Sequence, residues 1–224
     1  MLREKPHPKQ LFGNVTKSDF CFSSNYFRSI LSCRENVGKM KQVSSKQALR
    51  NRIAAKKNTF SETEFRVFSS EVISMLELTS LFQDATCILS YYSILGEVET
   101  HDFIDKYHED KCFILPVVRG NELALKKFTS PEEMIKSSFG IFEPTGDDFV
   151  DFDRIDLVLV PGVAFDRELH RLGRGKGFYD RLLPLIQAPK IGVCFDFQLF
   201  DHIPYDKHDV KMNMIVSQNE IVIG

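Results

Sequence analysis

The residues best suited to chemistry in this 224-residue chain lie in the stretch 171–180, Arg-Leu-Gly-Arg-Gly-Lys-Gly-Phe-Tyr-Asp. Arg171, Arg174 and Lys176 place three cations within six positions, and glycines alternate with them. Glycine permits positive φ angles and close approach of the backbone to a ligand, while cationic side chains bind phosphate oxygens through charge-assisted hydrogen bonds. The stretch therefore predicts a phosphate-binding loop, and Asp180 is placed to hold a magnesium ion there.

The generic nucleotide-binding motifs do not account for this loop. No Gly-Lys-Ser/Thr sequence closes it as in a Walker A motif, and its glycine spacing is not that of G-x-G-x-x-G. Taken alone, a basic and glycine-rich surface turn explains Gly-Arg-Gly-Lys-Gly equally well. The residues around the loop decide between these interpretations.

A family resemblance extends beyond the loop. The segment Pro161-Gly162-Val163-Ala164-Phe165-Asp166, taken with 171–180, resembles the signature of the 5-formyltetrahydrofolate cyclo-ligase (5,10-methenyltetrahydrofolate synthetase) family. Three further segments resemble motifs of that family in the family's order: Lys46-Gln47-Ala48-Leu49-Arg50, Glu97-Val98-Glu99-Thr100 and His208-Asp209-Val210-Lys211. The four motifs extend over about residues 44–217. One position departs from the pattern, because Phe178 stands where relatives often have Tyr, and a role for a hydroxyl there is lost or taken by Tyr179.

The resemblance implies an ATP- and magnesium-dependent cyclisation of 5-formyltetrahydrofolate to 5,10-methenyltetrahydrofolate, with release of ADP and phosphate. The formamide oxygen of the substrate is a poor leaving group. Transfer of the γ-phosphoryl group of ATP onto that oxygen gives an imidate phosphate, which the neighbouring anilinic nitrogen attacks as phosphate departs. Phosphoryl transfer depends on positioning and on neutralisation of charge, so cations and a metal ion are expected at the site.

The resemblance also implies a role for each matching residue. The catalytic cations are Arg171, Arg174 and Lys176, and the folate is bound by Glu97 and Tyr179. The metal ligands are Asp180 and Asp209, whose oxygens are the hard donors that Mg²⁺ prefers. The implied ATP ligands are Lys46, Arg50, Arg171, Gly173, Arg174, Gly175, Lys176, Gly177, Phe178 and Tyr179.

Alternating strands and helices are predicted to position these residues. The loop lies between the apolar run Leu157–Val160 and a segment with helical apolar spacing from Phe178 to Ile186, so the positive end of a helix is expected to support the phosphate site. Further strands are predicted at Thr86–Tyr92, Cys112–Val118, Glu122–Phe128, Ile191–Phe195, Met214–Val216 and Ile221–Ile223. Further helices are predicted from Ser45 to Lys57, from Ser61, from Thr100 to His108 and from Ser130. This alternation predicts a single α/β domain, a three-layer α/β/α sandwich with a mostly parallel sheet.

Composition limits the class of protein. Hydrophobic residues make up 43% of the chain, enough for one sizeable core, and the formal charge is −2. No apolar run approaches the roughly 20 residues needed to cross a bilayer. The five cysteines form no Cys-x-x-Cys pair, which indicates neither disulfides nor zinc. We therefore expect a cytoplasmic monomer that acts on small molecules and has no membrane partner.

Residues 1–43 are predicted to be an N-terminal extension of the domain 44–224. They show no sustained apolar period, and their eight Lys or Arg against three Asp or Glu leave residues 44–224 with a charge of −7. A targeting segment, a disordered tail and a reading frame begun too early all remain open, and we favour Met40 as the true start.

Two other functions remain open from the residues alone. A sugar-phosphate isomerase on a related α/β fold would use the loop without ATP, and Lys46 and Arg50 would then have no role. An RNA-binding module would use the loop and the basic N-terminal segment. The net negative charge of residues 44–224 and the lack of a recognisable RNA motif disfavour nucleic acid as a partner.

Overall fold

A mostly parallel seven-stranded sheet forms the centre of the protein. The computed structural model describes residues 45–137, 142–207 and 209–224, which lie in one compact unit, Val43–Gly224. The predicted extension 1–43 lies outside the described residues, so the domain boundary stays a prediction. The strands are β1 (Cys87–Leu89), β2 (Cys112–Arg119), β3 (Glu122–Lys127), β4 (Met134–Lys136), β5 (Phe142–Pro144), β6 (Leu157–Pro161), β7 (Ala164–Asp166), β8 (Arg171–Leu172), β9 (Lys190–Val193), β10 (Leu199–Phe200), β11 (Met214–Val216) and β12 (Ile221–Ile223).

The central sheet has the strand order β12-β11-β9-β6-β1-β2-β3. Strands β11, β9, β6, β1 and β2 are parallel to one another. The two edge strands, β3 and β12, are antiparallel. All seven strands were predicted, although β1 covers only Cys87–Leu89 of the predicted Thr86–Tyr92. The predicted α/β class with a mostly parallel sheet is confirmed.

Helices connect and cover these strands. They are α1 (Lys46–Lys57), α2 (Glu62–Glu77), α3 (Ser80–Asp84), α4 (His101–Tyr107) and α5 (Phe178–Leu182). The Ser45 side chain accepts a hydrogen bond from the Ala48 N–H and caps α1. Ser61 and Glu64 form the predicted capping box at the start of α2. None of the helices in the described part of the chain has the length and apolar composition needed to span a membrane.

The core lies on both faces of the sheet. Successive side chains of a strand point to opposite faces, so Leu157 and Leu159 of β6 pack with residues of α2 and α4 on one side. On the other side, Val158 and Val160 pack in a cluster with Leu182 of α5. This arrangement confirms the predicted α/β/α layering.

A small second sheet, in the order β10-β7-β8, extends from the end of β6 towards the glycine-rich stretch. It was not predicted, because its strands are two or three residues long and contain Asp166 and Arg171. Phe165 pairs with Arg171 in the antiparallel β7–β8 ladder. Leu49 and Ile53 of α1 pack against this sheet. Arg171 therefore lies in a strand, and α1 is fixed beside the loop that follows it.

Two predicted helices are wrong in extent. The segment from Phe178 is α-helical only to Leu182 and continues as a 3₁₀ turn, Leu183–Leu185, that contains Pro184. Proline lacks the N–H that an α-helix requires. Five residues make little more than one turn, so the aligned peptide dipoles expected to support the phosphate site are largely missing. The helix expected from Ser130 is a three-residue 3₁₀ turn, Pro131–Glu133, without a side-chain cap.

Candidate active site

The glycine-rich loop, residues 173–177, connects β8 to α5. Gly175 and Gly177 have φ angles of 95° and 67°. Residues other than glycine rarely adopt such positive φ angles. The backbone conformation of the loop therefore depends on these two glycines. Because α5 is short, the positive charge at this site comes from side chains, and their partners define its geometry.

Arg171 is the buried member of the group, with 4% of its side chain exposed. Its Nη2 donates a hydrogen bond of 2.6 Å to Oδ1 of Asp180, and its Nη1 donates one of 3.3 Å to the Pro161 carbonyl. Its Cζ lies 5.4 Å from the ring centroid of Tyr179. Arg171 thus joins the end of β6 to the first turn of α5.

Arg174 joins the loop to the segment that follows β1. Its Nη2 donates a hydrogen bond of 2.8 Å to Oε1 of Glu97, and the Ile94 N–H donates one of 3.2 Å to Oε2 of the same carboxylate. The Arg174 side chain is 56% exposed, whereas that of Glu97 is 12% exposed. Strands β1 and β6 are neighbours, and ligands of parallel sheets bind beyond the carboxyl ends of such strands.

Helix α1 brings Arg50 to the same loop. Arg50 Nε donates a hydrogen bond of 2.9 Å to the Gly173 carbonyl. A Cβ atom at Gly175 would lie 3.4 Å from Cζ of Arg50. The predicted N-terminal motif and the predicted phosphate loop are therefore in direct contact.

Lys46, one turn before Arg50, pairs with two carboxylates near the C-terminus. Its Nζ lies 2.6 Å from Oδ2 of Asp206 and 2.6 Å from Oδ2 of Asp209. Burial alone would raise the pKa of Asp209. The Lys46 ammonium and the Asp206 N–H, with the charge of Arg171, lower that pKa below its ordinary value. His208 of the predicted motif lies outside the described residues.

A cavity of about 440 Å³ opens beside the loop. Its charged lining includes Arg50 and Arg174, two of the predicted ATP ligands, together with Lys57 and Glu62. Its apolar lining includes Ile53, Phe60, Phe65, Leu95 and Val163. Cavities of this size, mostly apolar with a few convergent polar groups, are typical of small-molecule sites.

Lys57 is the residue at this cavity that sequence reasoning missed. It is the last residue of α1 and follows another lysine, a context in which solvated charges are the usual interpretation. The signal was its spacing, because Leu49, Ile53 and Lys57 recur every four residues and lie on one helix face. Burial lowers the pKa of Lys57 to about 8, and the nearby Arg174 also lowers it, while Glu97 acts in the opposite direction.

The sequence model of the 5-formyltetrahydrofolate cyclo-ligase family matches residues 42–218. The match includes α1, the segment after β1, the glycine loop and Asp209. The chain belongs to the 5-formyltetrahydrofolate cyclo-ligase family. The predicted family is confirmed, and the isomerase and RNA-binding alternatives lose their support.

Named members of the cyclo-ligase family align with most of the domain. The 5-formyltetrahydrofolate cyclo-ligase of Mus musculus is 29% identical over 154 residues, which are 62% of this chain and 76% of the mouse protein. That of Escherichia coli K12 is 31% identical over 147 residues, 61% of this chain and 80% of the bacterial protein. These matches confirm the predicted enzyme class, a ligase of folate one-carbon metabolism.

Solved structures agree with the fold. The NMR structure of Aquifex aeolicus 5,10-methenyltetrahydrofolate synthetase is 37% identical, has a TM-score of 0.72, and the match covers 80% of this chain and 92% of that one. The synthetase from Mycoplasma pneumoniae is 26% identical with a TM-score of 0.64, and the match covers 78% and 99% of the two chains. The α/β fold is thus shared with methenyltetrahydrofolate synthetases.

The predicted magnesium ligands of this cyclo-ligase each face a cation. Asp180 pairs with Arg171, and Asp209 pairs with Lys46. Among residues 45–137, 142–207 and 209–224, no group of three or more His, Cys, Asp or Glu side chains is arranged to hold a metal ion. Magnesium in phosphate-transfer enzymes is commonly held by one or two carboxylates together with substrate phosphates. The pair is compatible with that arrangement, and its role stays a prediction.

Phe178, which departs from the cyclo-ligase motif, lies beside two cations. The Phe178 ring centroid lies 6.0 Å from Nζ of Lys176 and 5.5 Å from Cζ of Arg181. A phenylalanine ring attracts cations through its π face and needs no hydroxyl for this. The neighbouring Tyr179 retains a hydroxyl, whose pKa is raised by burial and by the charge of Glu97.

Proposed function

We propose that the chain catalyses the ATP- and magnesium-dependent cyclisation of 5-formyltetrahydrofolate to 5,10-methenyltetrahydrofolate, releasing ADP and phosphate. Family membership supports the folate reaction. The observation that carries the ATP-dependent step is the convergence of Arg50, from α1, and Arg174, from the glycine loop, on a single cavity. A phosphoryl-transfer site requires this kind of positive, partly enclosed environment.

The nucleotide is proposed to lie with its base and ribose against the apolar wall of the cavity and with its phosphates towards the loop. Arg174 and Lys46 are held by carboxylates, but Arg174 is 56% exposed and Asp206 is 73% exposed. Exposed ion pairs contribute only about 0–1 kcal/mol. Phosphate oxygens can therefore reach the exposed guanidinium of Arg174 without displacing Glu97, and at Lys46 they can replace the exposed Asp206 carboxylate at little cost in free energy.

Asp180 and Asp209 are the residues proposed to hold the magnesium ion. When bound, the ion would neutralise phosphate oxygens and orient the γ-phosphoryl group. Each carboxylate must then share its charge with the metal or release its cation. Lys46, paired with Asp209 at 2.6 Å, would become available to a phosphate oxygen in the second case.

Glu97 and Tyr179 are proposed to bind the folate. Glu97 is fixed by the Ile94 N–H and by Arg174, so its carboxylate is held beside the cation that faces the phosphates. Tyr179 stays protonated because its pKa is raised, and its hydroxyl can donate a hydrogen bond to the substrate. Both groups orient the formyl oxygen towards the phosphoryl group.

Arg171, Arg174 and Lys176 are proposed to stabilise the charge that develops during transfer. The formyl oxygen takes the γ-phosphoryl group and ADP leaves. The anilinic nitrogen then forms its bond to the formyl carbon and releases its proton to the departing phosphate, and the carbon–oxygen bond breaks with release of that phosphate. Cations around the transferred group lower the barrier because its oxygens carry the developing negative charge.

We further propose that the enzyme works as a cytoplasmic monomer. The proposed ATP, folate and metal ligands require no residue from a second copy of the chain. Free thiols at Cys87, Cys112 and Cys194 are compatible with a reducing compartment.

The test is to incubate the purified protein with MgATP and 5-formyltetrahydrofolate and to follow the absorbance of the methenyl product. We expect product only when both substrates and magnesium are present. Absence of product beside an active relative would contradict the proposal. Product formed without a nucleotide would contradict the ATP-dependent step alone.

A further inference from the structure

Lys57 occupies a position in α1 that turns a charged side chain towards the cavity. Leu49 and Ile53, at the same four-residue spacing, are buried against the small sheet. Lys57 is therefore on the inner face of α1, and it lines the cavity together with Arg50 and Arg174. The preceding residue, Lys56, is exposed and is not part of the lining.

The stem of Lys57 packs against the segment after β1. A Cβ atom at Gly96 would lie 3.2 Å from Cδ of Lys57, so the close approach of this backbone depends on glycine. Glu97 follows directly, which explains why its charge acts on Lys57. The side chain is thus held between α1 and the loop that bears the predicted folate ligand.

The ammonium of Lys57 is half-buried and unpaired. No hydrogen bond or ion pair joins it to any residue in the part of the chain that the structure describes. The charged groups that face it are Glu97 and Arg174, with Arg50 and Glu62 in the cavity lining; the Cys194 thiol adds a weaker influence. A cation removed from water without a partner is unfavourable, and an anionic ligand in the cavity would relieve that cost.

The residues that line the cavity indicate which class of anionic ligand it would bind. Three cations surround the cavity, and its remaining wall is largely apolar. A ligand that fits both features has a flat, weakly polar body joined to an anionic group. Nucleoside phosphates have this chemistry, and so do folates through their glutamate carboxylates.

We propose that Lys57 is a further nucleotide-binding residue of this enzyme, whose ammonium donates a hydrogen bond to a phosphate oxygen of ATP in the cavity. The inference rests on the proposed use of ATP. Phosphate is favoured over the folate carboxylate because Lys57 shares the cavity with Arg50, which contacts the glycine loop. The proposed contact is to the α- or β-phosphate, which ADP retains, so it also exists in the product complex.

The first experiment measures ADP binding by calorimetry near pH 7, which requires no turnover. Lys57→Met should weaken ADP binding by about tenfold or more, the usual effect of losing a hydrogen bond to a charged group. Lys57→Arg should restore most of the affinity. Lys56→Met, the matched control on the exposed face, should bind ADP like the wild type. An unchanged affinity in Lys57→Met would overturn the proposal, and so would a loss confined to the KM for 5-formyltetrahydrofolate.

The second experiment compares the pH dependence of ADP binding in the wild-type protein and in Lys57→Arg. The pKa of about 8 for Lys57 means that the cation is lost as the pH rises through 8, so ADP affinity should fall between about pH 7 and pH 10. Lys57→Arg should bind ADP with little pH dependence over that range, because arginine stays charged. Identical profiles for the two proteins would overturn the proposal.

The two proposals fail in different ways. A wild-type protein that forms no methenyl product contradicts the proposed function. A wild-type protein that forms product, while Lys57→Met binds ADP normally, contradicts the role of Lys57 alone.

Discussion

Arg174 and Glu97, 77 positions apart in the sequence, form an ion pair with 2.8 Å between Nη2 and Oε1. Arg174 comes from the glycine loop and Glu97 from the segment after β1. The pair therefore joins the residue proposed to bind phosphate to the residue proposed to bind folate.

Glu97→Gln is expected to impair folate binding without unfolding the protein. Loss of a charged hydrogen-bond acceptor should raise the KM for 5-formyltetrahydrofolate by about tenfold or more. Arg174 is 56% exposed and can be solvated by water when its partner is lost, and glutamine keeps an oxygen for the Ile94 N–H. The stability cost should therefore be about 1 kcal/mol. Steady-state kinetics and a thermal melt measure both effects.

The matched control is Glu99→Gln, which changes the other carboxylate of the same motif. Glu97 pairs with Arg174 of the glycine loop, whereas Glu99 lines a separate cavity with Arg66 and Asp102. If the two variants raised the KM for folate equally, Glu97 would have no specific role.

Asp180→Asn and Asp209→Asn are each expected to raise the magnesium concentration needed for the half-maximal rate, by roughly tenfold. Each substitution replaces a negatively charged carboxylate, proposed as a magnesium ligand, with a neutral amide. Asp206→Asn is the control, because Asp206 pairs with Lys46 at 2.6 Å but is not assigned to the metal. A magnesium titration that is unchanged in both variants would remove these carboxylates from the site.

Lys176→Ala is expected to fold normally and to turn over slowly. Its ammonium lies 6.0 Å from the Phe178 ring, and an exposed contact of this kind contributes little, so stability should stay within about 0.5 kcal/mol of the wild type. A cation that stabilises phosphoryl transfer can contribute roughly 10³-fold to turnover. The loss should appear mainly in kcat, with a smaller change in the KM for ATP. Turnover within a few-fold of the wild type would contradict the assignment.

Lys57→Met is expected to stabilise the ligand-free protein near pH 7, by about 1 kcal/mol, because it removes an unpaired charge that burial disfavours. The folded-state pKa is about 8, below the ordinary value of 10.5. Between these values the folded state has released its proton while the unfolded state still holds it, so wild-type stability rises with pH. The advantage of the variant should therefore shrink from about pH 8 to pH 10. Thermal melts of both proteins over this pH range measure the stability difference. A difference that does not change with pH would contradict the burial argument.

Local signals in the sequence predicted much of the fold correctly. The Ser61 and Glu64 capping box and the apolar run of β6 depend on neighbouring residues, and both are confirmed. The order of strands and helices follows from such signals, because each segment carries its own apolar period. Pro184 is a local signal of the same kind, and the α-helix ends before it, at Leu182.

Features that depend on distant residues could not be predicted in this way. The sequence predicts a loop at Arg171, because the strand that pairs with it lies on another segment, at Phe165. The partner of Arg174 is 77 positions away, and only the family resemblance singled out Glu97. Lys57 was missed because its burial depends on the close approach of Gly96. The contacts that assemble the site join residues far apart in the sequence, so the pattern of neighbouring residues does not predict them.

The most direct test of the central claim follows the formyl oxygen itself. 5-Formyltetrahydrofolate labelled with ¹⁸O in the formyl group is converted with MgATP, and the released phosphate is analysed by mass spectrometry. If the γ-phosphoryl group is transferred to the formyl oxygen at the glycine loop, each phosphate should carry the labelled oxygen, in equal amount to the methenyl product. Unlabelled phosphate, with the label recovered in water, would contradict the account.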